Sequence, residues 1–323
     1  MYRILVTGVG AIIGYGIVRS LRRSHPTVQV VGMDIYQDAV GQHWCDEFVK
    51  ATPGAAPEYT ENLIRLIENF AIDLVIPGIE QDAARILDDY PTLSSSRAKF
   101  VLNNPSLMAV AADKWHMHRR LEDERIAVIP TRIEGSFSDL ARTFGLPFLL
   151  KPRRSYASKG ISRIHSAADL DYWQSELGNN FMVQKIVGND DAEYTIGAFG
   201  LGDGSYSQSI AFRRKLSGEG ATVKAHVVEY PEMNAQLARL VEIFKPVGPT
   251  NFQFRQHEGE FLLLEINPRI SSSTSLRTAF GYNEAAMCIE YYLQGEVPEK
   301  RTLRSGRAVR YIEDMVFYDC NNL

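Results

Sequence analysis

Three oxygen-bearing side chains and one arginine lie close together near the C-terminal end of the sequence. They are Gln253, Glu265, Asn267 and Arg269. Carboxylate and amide oxygens are the hard ligands that Mg²⁺ prefers, and a planar guanidinium suits phosphate oxygens. These residue types predict a site for a divalent cation and a phosphate group. A surface hairpin with an ordinary turn is the alternative interpretation of the same segment.

The sequence around these residues predicts a β-hairpin. Its strands are expected at residues 251–255 and 261–267, with a turn at residues 258–260. Side chains alternate between the faces of a strand, so the carboxylate and the amide of the second strand project to the same side. With a three-residue turn, Gln253 lies opposite Glu265 and faces the same way.

A basic loop is the second candidate site. A strand is predicted at residues 146–151, and the sequence PRRSYASKGI follows it. Small polar residues between cations allow backbone N–H groups to meet phosphate oxygens while lysine supplies charge. The Walker pattern GxxxxGK[ST] is absent, so this is not a P-loop. A solvated loop is the structural alternative.

The N-terminal end predicts a Rossmann-like βαβ unit. Strands are expected at residues 2–7 and 28–33, and an acid, Asp34, ends the second. The intervening glycines, Gly8, Gly10, Gly14 and Gly16, follow the spacing GxGxxxGxG and not the dinucleotide fingerprint GxGxxG. A tightly packed turn is therefore favoured, and NAD(P) binding remains an alternative.

Two acidic residues follow the next predicted strand, at residues 73–77. Glu80 and Asp82 then lie at the carboxyl edge of the sheet, where ligands of such folds usually bind. Helix capping is an equally good explanation of both acids. Further along, one helix is predicted at residues 107–125, with Lys114 inside it, and a closing strand at residues 308–317.

Composition excludes several classes of protein. The chain has 323 residues, 45% hydrophobic and 23% charged, with a net charge of −4, so no basic field attracts nucleic acid or an anionic membrane. No apolar run approaches the ~18 residues of a membrane span. The cysteines, Cys45, Cys288 and Cys320, form neither a disulfide framework nor a CxxC metal site. We expect a soluble cytoplasmic protein.

Taken in chain order, these segments resemble the ATP-grasp superfamily, in particular its carbamoyl-phosphate-synthase-like branch. The resemblance rests on LLKPRRSYASKG, VQKIVGNDDAEYT, NFQF and LLLEINPR, and it covers nearly the whole chain. It implies a mixed α/β and α+β fold with one ATP-grasp unit. Residues 1–105 would form a Rossmann-like pre-ATP-grasp domain, residues 106–187 the N-terminal lobe with its phosphate-covering loop, and residues 188–323 the C-terminal lobe with the metal site.

The resemblance also implies roles for individual residues. The nucleotide would be bound by Lys114, Lys151, Ser155, Ser158, Lys159, Gly160, Gln184, Lys185, Ile186, Val187 and Glu193. Within this set the two lysines at 114 and 151 match the family's phosphate-holding cations. The segment 184–187 matches the adenine contact, and Glu193 matches the ribose acceptor.

The metal ligands implied by the resemblance are Gln253, Glu265 and Asn267. The catalytic residues are Arg269 and Lys151, with Arg213 as a looser match to a basic group near the γ-phosphate. Two positions depart from the usual pattern. Glutamine at position 253 replaces the acid of many relatives and resembles the carbamoyl-phosphate synthases, and Gln184 replaces a glutamate.

The implied function is that of an ATP-dependent carboxylate–amine (or carboxylate–thiol) ligase that forms an acyl phosphate and releases ADP and phosphate. It would need ATP with one or two Mg²⁺ ions, or Mn²⁺. Biotin-carboxylase or carbamoyl-phosphate chemistry is an alternative, as is an NAD(P)-dependent reductase or a nucleotide-binding subunit without catalysis. We expect small-molecule carboxylate and amine substrates, no nucleic acid and no membrane. A homodimer is left open, and the sequence does not identify the substrates.

Overall fold

The computed structural model describes residues 1–155, 160–189, 191–218 and 220–318. In these residues the strands form three sheets, one of five, one of four and one of six strands. The mixture of a parallel sheet with antiparallel sheets is the predicted fold class. Within the described ranges, no helix is long and apolar enough to cross a lipid bilayer.

The first sheet is parallel and has the order β3-β2-β1-β4-β5. Its strands are β1 (Arg3–Thr7), β2 (Gln29–Asp34), β3 (Glu47–Lys50), β4 (Leu74–Ile76) and β5 (Lys99–Phe100). The helices of this part are α1 (Ile12–Ser24), α2 (Tyr59–Asn69), α3 (Glu80–Asp88) and α4 (Tyr90–Leu93), with a 3₁₀ helix at Val40–Trp44. The central strands are apolar and buried, as expected for a sheet covered on both faces.

Two helices follow where one was predicted: α5 (Pro105–Ala111) and α6 (Lys114–Asp123). The prediction of a single helix at residues 107–125 is wrong because Asp113 has an extended backbone. Its side chain accepts hydrogen bonds from the backbone N–H groups of Trp115 and His116, so it caps the second helix. The break makes Lys114 the first residue of α6.

The four-stranded sheet is antiparallel, with the order β6-β9-β7-β8. Its strands are β6 (Thr131–Arg132), β7 (Phe148–Pro152), β8 (Ser162–Ile164) and β9 (Phe181–Gln184). Two helices accompany it, α7 (Phe137–Phe144) and α8 (Ala167–Leu177), and their apolar side chains share one buried cluster with the sheet. A capping box between Ser166 and Asp169 starts α8.

The six-stranded sheet is antiparallel, with the order β14-β13-β10-β11-β12-β15. Its strands are β10 (Glu193–Leu201), β11 (Tyr206–Leu216), β12 (Thr222–Val228), β13 (Val247–His257), β14 (Glu260–Asn267) and β15 (Arg307–Val309). Helix α9 (Pro231–Phe244) covers one face, where it packs against Tyr194, Phe252 and Phe254. The opposite face carries the polar residues of the candidate site.

Between β14 and β15 the chain forms α10 (Thr274–Ala279), α11 (Glu284–Cys288) and a π-helix at Ile289–Gln294. Both α helices pack against α1, and Tyr282 shares a buried cluster with Ile17 of that helix. The segment after the six-stranded sheet therefore shares a core with the first sheet. The predicted closing strand at residues 308–317 is wrong beyond Val309, because the chain leaves the edge of the sheet there.

Candidate active site

The hairpin of β13 and β14 places Gln253 opposite Glu265, as predicted, but by a different route. The predicted three-residue turn is wrong, since Glu258 and Gly259 alone form it. Both have positive φ, 51° and 86°, which is the backbone of a type I′ turn. A β-bulge at Leu264 nevertheless produces the predicted pairing. Phe254 pairs with Leu263 and Gln253 pairs with Glu265, so Leu264 is an extra residue without a partner in β13.

The bulge decides which way Glu265 points. Leu263 packs in the buried cluster beneath α9, and strand alternation would place the residue two positions later on that same apolar face. One extra residue reverses this parity, so Glu265 projects to the polar face with Gln253. Asn267 follows on the same side, and its Nδ2 donates to Glu265 Oε1 at 3.1 Å.

A buried arginine that sequence reasoning missed joins this face. Arg214 is 5% exposed and donates from one terminal nitrogen to Gln253 Oε1 at 2.6 Å and to Glu193 Oε1 at 3.2 Å. Arg255 donates to the other oxygen of Glu193, at 2.9 and 3.2 Å. The predicted ribose acceptor is thus a buried carboxylate between two guanidinium groups.

The neighbouring Arg213 requires a correction. It pairs with Tyr194 of β10, whose ring packs on the face covered by α9, whereas Arg214 pairs with Glu193 on the polar face. Alternation along β11 therefore turns Arg213 away from the site, where its Nε donates to the carbonyl of Asp191. The predicted role near the γ-phosphate fits Arg214 instead. Alternation in the sequence FRRKL could have indicated this, because Arg214 is two residues after the apolar Phe212 and therefore lies on the same, buried face of the strand.

Lys151 extends from β7 towards the same region. Its Nζ donates to Gln184 Oε1 at 2.6 Å, and the amide of Gln184 donates in turn to Thr131 Oγ1 at 2.9 Å. Burial lowers the pKa of Lys151 to about 8, while the nearby carboxylates of Glu265 and Glu193 act in the opposite direction. Lys151 of the four-stranded sheet therefore interacts electrostatically with Glu265 of the hairpin in the six-stranded sheet.

Lys114 reaches the start of the predicted phosphate-covering loop. Its Nζ donates to the Ser155 carbonyl at 2.7 Å and lies 3.2 Å from the hydroxyl of the same residue. Arg153 fixes this arrangement, because its guanidinium forms an ion pair with the helix-capping Asp113 at 2.7 Å. Ser158 and Lys159 lie outside the described residues. Gly160 has φ +76°, and a Cβ there would lie 2.7 Å from Pro152 Cγ.

The predicted adenine segment borders a small apolar cluster between the lobes. Val187 packs with Ile129 and Leu262, a surface on which a flat purine ring could lie. The backbone N–H of Lys185 already donates to the Pro130 carbonyl at 3.0 Å. Ile186, like Lys185, is half-buried.

Arg269 connects the hairpin to the first sheet. Its Nε donates to Glu80 Oε1 at 2.9 Å, one of its terminal nitrogens contacts the same oxygen, and Asn267 Oδ1 accepts at 3.4 Å. Glu80 begins α3 without serving as its N-cap, so the structure favours the site-facing interpretation of this acid. Asp82 is buried, and burial raises the pKa of its carboxyl group, while the nearby Thr7 and Tyr59 hydroxyls act in the opposite direction.

The glycine turn of the first sheet is closed by the protein itself. Both oxygens of Asp34 accept backbone hydrogen bonds, from Gly10 at 2.8 Å and from Tyr36 at 3.0 Å. A Cβ on Gly14 would lie 2.1 Å from the Gly8 carbonyl oxygen. The glycines therefore serve close packing, and the acid that would bind a dinucleotide ribose is already engaged. This geometry speaks against the NAD(P) alternative.

A divalent cation is compatible with part of the predicted ligand set. The described residues contain no group of three or more His, Cys, Asp and Glu side chains that could hold a metal. The carboxylate of Glu265 and the amide of Asn267 are hard oxygen ligands on one face, which suits Mg²⁺ when phosphate oxygens and water complete its shell. Gln253 fits less well, since its oxygen already accepts a hydrogen bond from the cationic Arg214.

Comparison with known proteins agrees with this architecture. Residues 179–315 match a family model described as ATP-grasp in the biosynthetic pathway with Ter operon. No curated protein matches the chain by sequence.

Solved structures match over almost the whole chain at low identity. An N5-carboxyaminoimidazole synthetase from Staphylococcus aureus complexed with ADP is 16% identical, with a TM-score of 0.70 over 95% of this chain and 80% of that one. A biotin carboxylase from Campylobacter jejuni in complex with β,γ-ATP is 14% identical, with a TM-score of 0.72 over 94% of this chain and 74% of that one. The solved structures show that the chain shares their fold, and the match to the ATP-grasp family model is confined to residues 179–315.

Proposed function

We propose that this protein is an ADP-forming, ATP-dependent carboxylate–amine ligase. The observation that carries the proposal is the polar end of the hairpin, where Glu265 and Asn267 lie together and Arg269, held by Glu80, lies beside them. A cation suited to phosphate thereby lies next to oxygens that suit a divalent metal ion. Phosphoryl transfer depends mainly on such positioning and neutralisation of charge.

Three cationic side chains of the site, those of Lys114, Lys151 and Arg269, would bind the triphosphate. Lys114 and Lys151 would bind phosphate oxygens, exchanging their present contacts with Ser155 and Gln184 for the ligand. Arg269 is held by Glu80, so its guanidinium is fixed beside the metal ligands before substrate arrives. A pre-positioned charge costs little reorganisation during reaction.

Glu265 and Asn267 would hold Mg²⁺, and Gln253 would act through Arg214. The metal, when bound, neutralises charge on the β- and γ-phosphates. Arg214 and Arg255 add two fixed positive charges on the same face, of which the carboxylate of Glu193 offsets one. One divalent ion and these arginines would therefore balance the phosphates of the nucleotide only together with Lys114 and Lys151.

The proposed reaction has two transfers. A carboxylate oxygen of the substrate attacks the γ-phosphorus, the bond from this phosphorus to the bridging oxygen breaks, and ADP leaves. The amine nitrogen of the second substrate then attacks the acyl carbon, expels phosphate and loses a proton. Water must be kept from the acyl phosphate, a role we assign to the loop of residues 155–160. A thiol could replace the amine in the second step.

Bicarbonate activation is the second candidate function. It is favoured by neighbours whose names describe carboxylases, among them a biotin carboxylase domain from Hydrogenobacter thermophilus in complex with MgADP and bicarbonate. In that case bicarbonate is the carboxylate that receives the phosphoryl group. ADP release would then depend on added bicarbonate whichever amine was present.

An ADP-release screen tests both candidates. Amino acids and amino sugars would be offered in pairs with ATP and Mg²⁺, with and without bicarbonate. The ligase proposal predicts ADP and phosphate in equal amounts only with a productive carboxylate and amine pair. Dependence on bicarbonate alone would favour carboxylase chemistry. No ADP with any pair, from protein shown to bind MgADP, would contradict the proposal.

A further inference from the structure

A cluster of exposed basic side chains lies on the face of the six-stranded sheet opposite the candidate active site. We name this surface the basic shelf, and it consists of Arg213, Lys215, Lys224, His226 and Arg307. The residues come from three adjacent strands, β11, β12 and β15. They line a cavity of about 630 Å³, within the range of ligand sites.

The shelf is separate from the candidate active site. Arg214 lies between Arg213 and Lys215 in sequence, but its side chain is on the other face of the sheet, where it contacts Glu193 and Gln253. Helix α9 covers the neighbouring part of the shelf face and begins at Pro231, next to the cavity-lining Tyr230. The open part of the sheet beyond this helix end forms the cavity.

The strand register places like charges directly opposite one another. Lys215 pairs with Lys224, and the side chain of His226 lies between those of Arg213 and Arg307. Like charges across a strand pair are destabilising. Among the described residues, neither lysine, nor His226 or Arg307, forms an ion pair, and Asp191 is the one acidic residue of the cavity lining. An external anion would offset the remaining repulsion.

The surrounding residues favour a peptide over nucleic acid. Apolar and aromatic side chains, Val228, Tyr230 and Val309, line the same cavity and could bury an apolar side chain of a partner. Lysines and arginines beside this apolar patch suit a short segment with a few carboxylates and apolar side chains.

The spacing also fits an extended chain. Lys215 stands two residues after Arg213 on β11, so their Cα atoms are about 6.8 Å apart, the same separation as alternate residues of another extended strand. We propose that the basic shelf binds an extended acidic segment of a partner protein, with carboxylates at alternate positions. Such a segment places each carboxylate over a cross-strand pair of cations and removes their mutual repulsion.

Peptide binding to the full-length protein tests the proposal. The probe is an eight-residue peptide in which glutamate alternates with serine, and glutamine replaces glutamate in the control peptide. Binding is followed by fluorescence anisotropy in saturating MgADP, so that the candidate active site is not available. The acidic peptide should bind, its affinity should fall as salt is raised, and the glutamine peptide should not bind.

Two double variants with equal net charge make the test specific. Lys215→Gln with Lys224→Gln should weaken peptide binding by at least tenfold, and its Tm should equal or exceed that of the wild type because repulsion is removed. Lys99→Gln with Lys300→Gln changes exposed lysines elsewhere and should leave binding unchanged. Equal effects of the two variants would overturn the proposal. Tighter binding of single-stranded RNA or of pyrophosphate to the shelf would overturn the choice of partner.

Discussion

Gln253 lies directly opposite Glu265 although only two residues form the turn between their strands. The bulge at Leu264 supplies the missing position and brings the carboxylate onto the polar face. The proposed metal site therefore depends on one extra backbone residue. Without this residue β14 would contain the same ligands, but the carboxylate of Glu265 would project towards the apolar core beneath α9.

Deleting Leu264 should remove the bulge and turn Glu265 towards the buried face beneath α9. We expect loss of Mn²⁺ binding, measured by electron paramagnetic resonance with ADP present, and a lower free energy of unfolding because a carboxylate becomes buried. Leu264→Ala keeps the residue count and should retain cation binding. Equal binding by the two variants would contradict the role of the bulge.

Glu265→Gln should abolish ADP formation while nucleotide affinity stays within about tenfold of wild type. The reason is that the carboxylate is the one negatively charged ligand of the proposed cation site, whereas the lysines provide much of the phosphate binding. Turnover and ADP titration measure the two effects. Glu260→Gln, an exposed change at the hairpin turn, serves as the control. Normal turnover by Glu265→Gln would remove the hairpin from the mechanism.

The lowered pKa of Lys151, about 8, predicts a pH dependence of nucleotide binding. Phosphate favours the charged lysine, so ADP affinity should fall about tenfold from pH 7 to pH 9 as the free protein loses this proton. Calorimetry at pH 8 in buffers of different ionisation enthalpy should detect proton uptake on binding. Lys151→Arg remains charged throughout and should abolish both effects. A pH-independent wild type would contradict this account.

The same pKa has a consequence for stability. The unfolded lysine keeps its proton to higher pH than the folded one, so the unfolded state binds more protons between about pH 8 and the ordinary lysine pKa. The contribution of Lys151 to the free energy of unfolding should therefore rise with pH across that window. Below about pH 8 both states are charged, and this contribution becomes independent of pH.

Arg214 should matter for stability more than its partner Arg255. Replacing it with methionine leaves Glu193 buried with one partner fewer, and loss of one member of a buried pair typically costs about 3–5 kcal/mol. Arg255→Met removes a less buried guanidinium and should cost less. Urea unfolding of the two variants measures the difference. Equal losses would show that Arg214 is not the main partner of this carboxylate.

Much of this site could be predicted from the sequence because strand alternation is a short-range rule. Glu265 and Asn267 share a face for that reason, and the apolar first strand, residues 2–7, indicated a buried parallel sheet. The bulge at Leu264 could not be predicted, since its cause is the packing of Leu263 beneath a helix distant in sequence. The turn is one residue shorter than predicted and the bulge adds one residue, so the predicted pairing of Gln253 with Glu265 is retained. No residue type near the turn indicates either change.

Charge pairing was the other feature that the sequence did not reveal. Glu193 is the predicted acceptor for a ribose hydroxyl, and nothing in the sequence indicated that two arginines, from β11 and β13, contact it. Glu80 and Arg269 are far apart in the chain and meet only when the first sheet and the hairpin pack together. Contacts of this kind depend on tertiary structure. Residue types and spacing indicate only which side chains lie on each strand or helix and not which partners they meet.

Calorimetric titration of MgADP and of NADH into the wild-type protein is the direct test of the proposed nucleotide site. We expect one MgADP bound per chain, at least tenfold weaker binding by Lys151→Ala, and no heat from NADH. Binding of NADH, or MgADP binding that is unchanged by Lys151→Ala, would contradict the assignment of the nucleotide site to the cleft between Lys151 and Glu265.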